Sequence, residues 1–160
     1  MPRRKKKEFT RDIGVDPRFQ SPFMQKLINV VMRKGKKNAA RVIVYEAMDV
    51  LVGKCENSEE KALELFQKAF AQATPSVEVR SRRVGSSVYQ IPRPVRPERA
   101  RHLALKWVLD SASSRGDKTM GRRLAHELLD ASEGRGNAVK KKVDVHKMAD
   151  SNRAFSHYAW

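Results

Sequence analysis

From Pro22 onward, apolar residues recur at helical spacing. Phe23, Leu27 and Val30 stand at i, i+4 and i+7, with Met24, Ile28 and Val31 beside them, a stripe wide enough to predict a core-facing helix. Ser21 supplies an N-cap, Pro22 a first helical residue and Gly35 a stop. A second helix is predicted over about 38–52, with Ala40, Ile43, Val44, Ala47 and Leu51 inward and Gly53 closing it. Asn57-Ser58-Glu59-Glu60 reads as a capping box with Asn57 as the cap. The helix behind it runs to about Ala73, with Ala62, Leu65, Phe66, Ala69 and Phe70 inward. Phe66 and Phe70 lie on the helical stripe, which assigns them to the core rather than to base stacking.

Pro75 breaks this pattern, and the period changes from helix to strand. Val77 and Val79 alternate with Glu78 and Arg80, Tyr89 and Ile91 alternate with Val88 and Gln90, and Gly85 lies between. A β-hairpin is predicted over about 76–94. Two strands alone are marginal in water, so the hairpin has to lean on the helices at its base or on a partner at its tip. A fourth helix starts after Arg96 with Pro97 in its first turn, and Ala100, Leu103, Ala104, Trp107 and Val108 form its apolar face. Arg99, His102 and Lys106 form a separate polar stripe on it. Asp117 is the expected cap of a fifth helix, with Met120, Leu124, Leu128 and Ala131 inward. Gly134 and Gly136 mark a break. A sixth helix follows over about 137–150, with Val139, Val143 and His146 on its inner side and Lys140, Lys141 and Lys147 outward. The tail carries Phe155, His157, Tyr158 and Trp160. Two fates are open to those rings: stacking on bases or a neighbour, and packing back onto the core.

The fold class is therefore mostly α: a single-domain bundle of about six helices, with one protruding β-hairpin and a flexible basic N-terminal arm. The expected divisions are an arm over 1–20, a helical domain over 21–150 and an aromatic tail over 151–160. A chain of 160 residues is long enough to bury a core without staples. Cys55 is the lone cysteine, which excludes a disulfide scaffold and fits a reducing compartment. No apolar run has the length of a membrane span, and no apolar stretch follows the basic MPRRKKKEF start, so neither a membrane anchor nor a secretory signal is expected.

Charge changes the picture most. Lys and Arg number 34 against 18 Asp and Glu, a net charge of +16. The excess is not evenly spread. Residues 1–11 hold six basic and one acidic residue, and residues 74–109 hold eight and two, whereas residues 110–136 hold five of each. Clustered cations of this kind point to a polyanion, and nucleic acid fits better than a membrane surface, because no strongly apolar helix face accompanies the basic ones. The cations expected to meet it are Arg3, Arg4, Lys5, Lys6 and Lys7 of the arm; Lys34, Lys36 and Lys37 around Gly35; Arg80, Arg82 and Arg83 of the hairpin; Arg96, Arg99, Arg101, His102 and Lys106 of the fourth helix; and Lys140, Lys141 and Lys142 of the sixth. Arginine predominates around the hairpin, and its planar fork suits phosphates and stacks on bases.

No catalytic constellation stands beside this. His102, His126, His146 and His157 are scattered without the spacing of a metal site, and there is neither a P-loop nor a dinucleotide glycine motif. No catalytic residue, metal or cofactor is expected. Two other classes remain to be weighed: a DNA-binding module, for which the link around Ser113–Gly116 makes a poor helix-turn-helix, and a metal-dependent nuclease.

The segment VEVRSRRVGSSVYQIPRPVRPERARHLALKWVLDSA, Val77 to Ala112, resembles the signature region of the small-subunit ribosomal protein seven family of bacterial or organellar type. MPRRKKK, MRKGKKNAARVIVYEAM, RGDKTMGRRLAHELLDA and KKKVDVHKMADSNRAFSHYAW are similar to that family too, so the likeness extends over nearly the whole chain. The chain departs from the family's usual pair of glycines at Gly85-Ser86, and it carries Pro94 and Pro97 in a segment with fewer prolines in many members. The resemblance implies a non-enzymatic constituent of the small ribosomal subunit that binds the 3′ major domain of its 16S-type rRNA directly and nucleates assembly of the head. It implies a place near exit-site tRNA and the mRNA path, with the hairpin tip (Arg82, Arg83, Val84, Gly85 and Ser86) reaching toward them. It also implies neighbours among the head and platform proteins, numbers nine and eleven of the small subunit, and a cytoplasmic location in the ribosome, bacterial or organelle-encoded.

Overall fold

The structure, a computed structural model, describes residues 13–158. In chain order it has α1 (Pro22–Val31), α2 (Lys37–Lys54), α3 (Glu59–Ala73), β1 (Val77–Val84), β2 (Ser87–Pro94), α4 (Pro97–Ser113), α5 (Met120–Ser132) and α6 (Asn137–Ser151), then a 3-10 helix at Arg153–Tyr158. This is the expected helical bundle with one antiparallel hairpin.

The apolar stripes meet around α5, which packs against α2, α3, α4 and α6. Leu124, Ala125, Leu128 and Ala131 of α5 are fully buried, in one core cluster with Met24, Leu27 and Ile28 of α1, Val44, Met48 and Leu51 of α2, Phe66 of α3 and Val108 of α4. Burying each of the larger side chains contributes roughly 1.5–3 kcal/mol. Phe23, Phe66 and Phe70 pack edge to face, with ring centroids 4.9–5.7 Å apart, so the α3 phenylalanines are core residues as their spacing predicts. Gly121 lets α5 approach α2: a Cβ there would stand 2.7 Å from the Glu46 Cβ. Thr119 at the start of α5 donates its hydroxyl proton to Glu46 Oε1 at 2.5 Å, closing the same contact.

Several element ends differ from the sequence reading. The first helix stops at Val31 rather than at Gly35, because Met32 already has extended backbone and its N–H caps Ile28. Lys34 and Gly35 then take left-handed φ of +52° and +74°. Gly53 does not close α2. The helix runs through it, and the turn is made by Glu56 and Asn57, both left-handed, with the Asn57 N–H reaching back to the Val52 carbonyl. Ser58, not Asn57, caps α3 by accepting the Lys61 N–H at 3.4 Å, so Glu60 is one residue early for a capping box. Thr119 rather than Asp117 caps α5, and Asp117 instead holds His126, whose Nδ1 is 3.1 Å away. On α6 the inward side carries Ala138, Val139, Lys142, Val145, His146 and Ala149, so Val139 and His146 face inward as expected, whereas Val143 lies on the solvent side.

The segment from Ile13 to Gln20 lies on the body. Asp16 is fully buried and accepts three hydrogen bonds: the Tyr45 hydroxyl at 2.8 Å and the backbone N–H groups of Phe19 and Arg18. Arg18 bridges Asp49 and Glu59. The arm residues Arg3 to Lys7 lie outside the described residues.

Candidate nucleic-acid interface

The link from α1 to α2 gathers Arg33, Lys34, Lys36 and Lys37 within one tight turn, held by Lys36 N–H to Arg33 O at 3.1 Å and Lys37 N–H to Gly35 O at 2.9 Å. All four cations are exposed, and none joins an ion pair among the described residues. They surround the N-terminus of an 18-residue helix that has no acidic residue in its first turn and no side-chain cap. A helix dipole places positive potential at that end, where carboxylates would stabilise it and cations repel it. The arrangement costs the free protein stability, and an anion at this spot offsets the cost. Beside the turn runs a groove of about 490 Å³ whose floor includes Val31, Ala40, Ile43, Leu109 and Met120, with Arg33, Lys36 and Arg123 on its rim. Arg123 is a cation that the charge pattern along the chain does not single out. It is 90 residues from Arg33 in sequence, and only the packing of α5 on α2 brings it here; its Nε donates to the Asp117 carbonyl at 2.6 Å.

The hairpin is a continuous ladder from Val77↔Pro94 to Val84↔Ser87. Val95 N–H donates to Ser76 O at 3.0 Å, so hydrogen-bonded pairs fall at every second position outward: Glu78/Arg93, Arg80/Ile91 and Arg82/Tyr89. Pro92 and Pro94 occupy the intervening positions, where their missing N–H groups face away from β1, and they blunt the exposed edge without breaking the ladder. At the tip, Gly85 has φ +64° at the first position of a two-residue turn, the pattern of a type II′ hairpin.

The hairpin arginines are not equivalent. Arg80 and Arg99 both pair with Glu78 at 2.7 Å, clamping the base of β1 to the start of α4. Burial alone would raise the Glu78 carboxyl, but the hydrogen bonds from Arg99 and Arg80 outweigh it and hold it below its usual range. Arg82 donates from Nη1 to the Tyr158 carbonyl, and Arg83 lies exposed at the tip with its Nε on the Gly85 carbonyl. Arg96 at the N-cap of α4 and Arg99, Arg101, His102 and Lys106 within it are all exposed, with Arg99, His102 and Lys106 forming a basic stripe away from the apolar face. On α6, Lys140 and Lys141 are exposed, whereas Lys142 is half-buried and donates to the Gln72 carbonyl at the end of α3. The rings of the tail pack on the hairpin through Tyr89 rather than on the bundle core; Trp160 lies outside the described residues.

Three of the four histidines have structural partners. His126 faces Asp117, His146 Nε2 accepts the Ser76 N–H, and His157 Nδ1 lies 2.8 Å from the Ala154 carbonyl. Among the described residues no group of His, Cys, Asp and Glu is arranged to hold a metal ion, and no helix is long and apolar enough to cross a membrane.

Comparison with known proteins decides between the classes of polyanion binder. The family described as ribosomal protein S7p/S5e matches residues 2–153. The chain belongs to this family. It is 52% identical over 150 residues to the small ribosomal subunit protein uS7 of Colwellia psychrerythraea, covering 94% of both chains. It is 52% identical over 158 residues to that of Chromohalobacter salexigens, covering 99% of both, and 50% identical over 150 residues to that of Blochmanniella floridana. As a member of the S7p/S5e family it is a structural, non-enzymatic component of the small ribosomal subunit.

Proposed function

We propose that this ribosomal protein binds the 3′ major domain of small-subunit rRNA directly and nucleates assembly of the head. The observation that carries the reading is the cluster Arg33, Lys34, Lys36 and Lys37, without an ion pair among the described residues, on the start of α2 that no side chain caps, continuous with the basic rim at Arg123. With the exposed cations of α4 and α6, it gives a rigid body that meets phosphates at several fixed separations. Recognition then rests on RNA shape and junction geometry, since A-form grooves hide the base edges. Arg3, Arg4, Lys5, Lys6 and Lys7 add phosphate contacts from the N-terminal arm. The hairpin tip, Arg82 to Ser86, reaches toward exit-site tRNA and the mRNA path, and proteins nine and eleven of the small subunit are its protein neighbours. The location is the cytoplasm, in the ribosome.

Hydroxyl-radical footprinting of a 3′-domain transcript tests this. Protection confined to a few junctions, resistant to excess duplex DNA, is the expected result. Diffuse protection that duplex DNA removes would overturn it. Shortening the hairpin to remove Arg83–Val88 is expected to leave the footprint in place while impairing reading-frame maintenance in assembled ribosomes.

A further inference from the structure

Arg82 and Tyr89 face each other across the hairpin, and both touch the C-terminal tail. The Tyr89 ring lies 4.7 Å from the ring of Phe155 and 6.3 Å from that of Tyr158, inclined by only 27° to the latter. Arg82 Nη1 donates to the Tyr158 carbonyl at 3.0 Å, and the His157 ring packs on Tyr158 with centroids 3.9 Å apart. The 3-10 helix that carries these groups follows directly from the end of α6, which also holds the base of the hairpin where His146 Nε2 accepts the Ser76 N–H. None of the rings belongs to the bundle core.

An unsupported pair of strands is marginal in water. Each strand here has eight residues, so at ~3.3 Å per residue a small rotation at the base is magnified into a large displacement at the tip. The Glu78 clamp and His146 hold only the base. Contact at Arg82 and Tyr89 lies beyond the middle of the strands, where it removes most of that freedom.

We propose that the C-terminal tail is an internal brace that sets the direction of the hairpin, and that Tyr89 is the positioning residue through which Phe155 and Tyr158 act. The functional consequence rests on the proposed ribosomal role, in which the tip works at a fixed place. The brace itself is a property of the free protein.

The test places nitroxide labels at Ser86→Cys and Gln67→Cys in a Cys55→Ser background and measures the distance distribution by pulsed electron resonance on the full chain without RNA. The expected result is a narrow distribution that Tyr89→Ala or Phe155→Ala broadens, that a chain ended after Asn152 broadens equally, and that Tyr89→Phe restores. Amide exchange from Arg82 to Ile91 accelerates about tenfold in the broadened variants, while the thermal midpoint of the bundle stays in place. Equal widths in the parent, both alanine variants and the shortened chain would overturn the brace. Transcript affinity, measured alongside, reads the preceding proposal separately: tail-dependent narrowing in a chain that ignores the transcript would sink that proposal and leave this one standing.

Discussion

Arg115 donates from Nε to Glu127 Oε2 at 2.8 Å, and the Glu127 side chain is completely shielded from solvent. The other carboxylate oxygen accepts the Ala138 N–H at 2.9 Å, so one buried acid ties the link between α4 and α5 to the first turn of α6. Asp130 is a second partner of Arg115. Burial works against the Arg115 charge, but hydrogen bonds to Asp130 and Glu127 outweigh it, and the guanidinium is held more firmly protonated than usual. Arg115→Met removes the cation and strands a buried carboxylate, which costs about 3–5 kcal/mol. Urea unfolding is expected to show that loss, with part of it recovered in the Arg115→Met, Glu127→Gln double variant. A loss under about 1 kcal/mol would mean that Glu127 finds other partners.

Tyr45 and Asp16 give a second, milder case. Burial, followed by the hydrogen bond to Asp16, pushes the Tyr45 phenol above its ordinary value of 10.0. A group raised on folding contributes stability that is complete below the unfolded value and is lost as pH climbs through the folded one. The native protein therefore weakens on the alkaline side, and Tyr45→Phe is expected to remove that dependence. At neutral pH the same change costs about 1 kcal/mol, the net worth of one such hydrogen bond. Denaturant midpoints followed from neutral to strongly alkaline pH check both statements.

Glu78 behaves in the opposite sense. Its carboxyl is held below 4.5 by Arg99 and Arg80 against the effect of burial, so its contribution is present above 4.5 and disappears as pH falls through the lower folded value. The expected outcome is local: the first rungs of the hairpin open in acid before the bundle does. Glu78→Gln opens them at neutral pH and flattens the acid dependence. Amide exchange at Arg80 and Arg93, whose N–H groups lie in the first hydrogen-bonded rungs, measured on both chains across the acid range, separates this from global acid unfolding.

What could be read in advance divides along physical lines. Periodicity records the side a helix buries, so the core positions of α1, α3 and α5 and the alternation of the hairpin were legible. Helix ends depend on which backbone group finds a partner, and these slipped: Gly53 was free to stay helical because Glu56 and Asn57 took the left-handed positions beyond it. On α6 Val139 and His146 face inward as their spacing predicts, but Val139 stands at the margin of the buried stripe, and Val143, four residues on, falls just outside it. The cations were legible as a population but not one by one. Nothing in the sequence distinguishes Lys142, turned onto the end of α3, from its exposed neighbours Lys140 and Lys141, or reveals that Arg123 joins the rim beside Arg33. Both depend on long-range packing.

The turn between α1 and α2 allows charge to be separated from geometry. Lys34→Ala, Lys36→Ala and Lys37→Ala together remove three exposed cations that make no ion pair among the described residues, so the described fold loses no such partner and the helix start loses a repulsion. Thermal stability of the free chain is therefore expected to hold or rise slightly. Binding to a ribosomal transcript weakens, and the slope of log K against log salt falls by about 2, since each phosphate left unneutralised at a single-stranded-like site takes away roughly 0.7. Gly35→Ala probes the other variable. A Cβ there meets open space, but φ is +74°, so the substitution strains the turn by about 1 kcal/mol without touching its charge. That variant is expected to bind more weakly with an unchanged slope, because the same phosphates are met from a displaced backbone. If the triple variant kept the parent slope, the turn would not be a phosphate site, and its uncompensated charge would have no explanation in this structure.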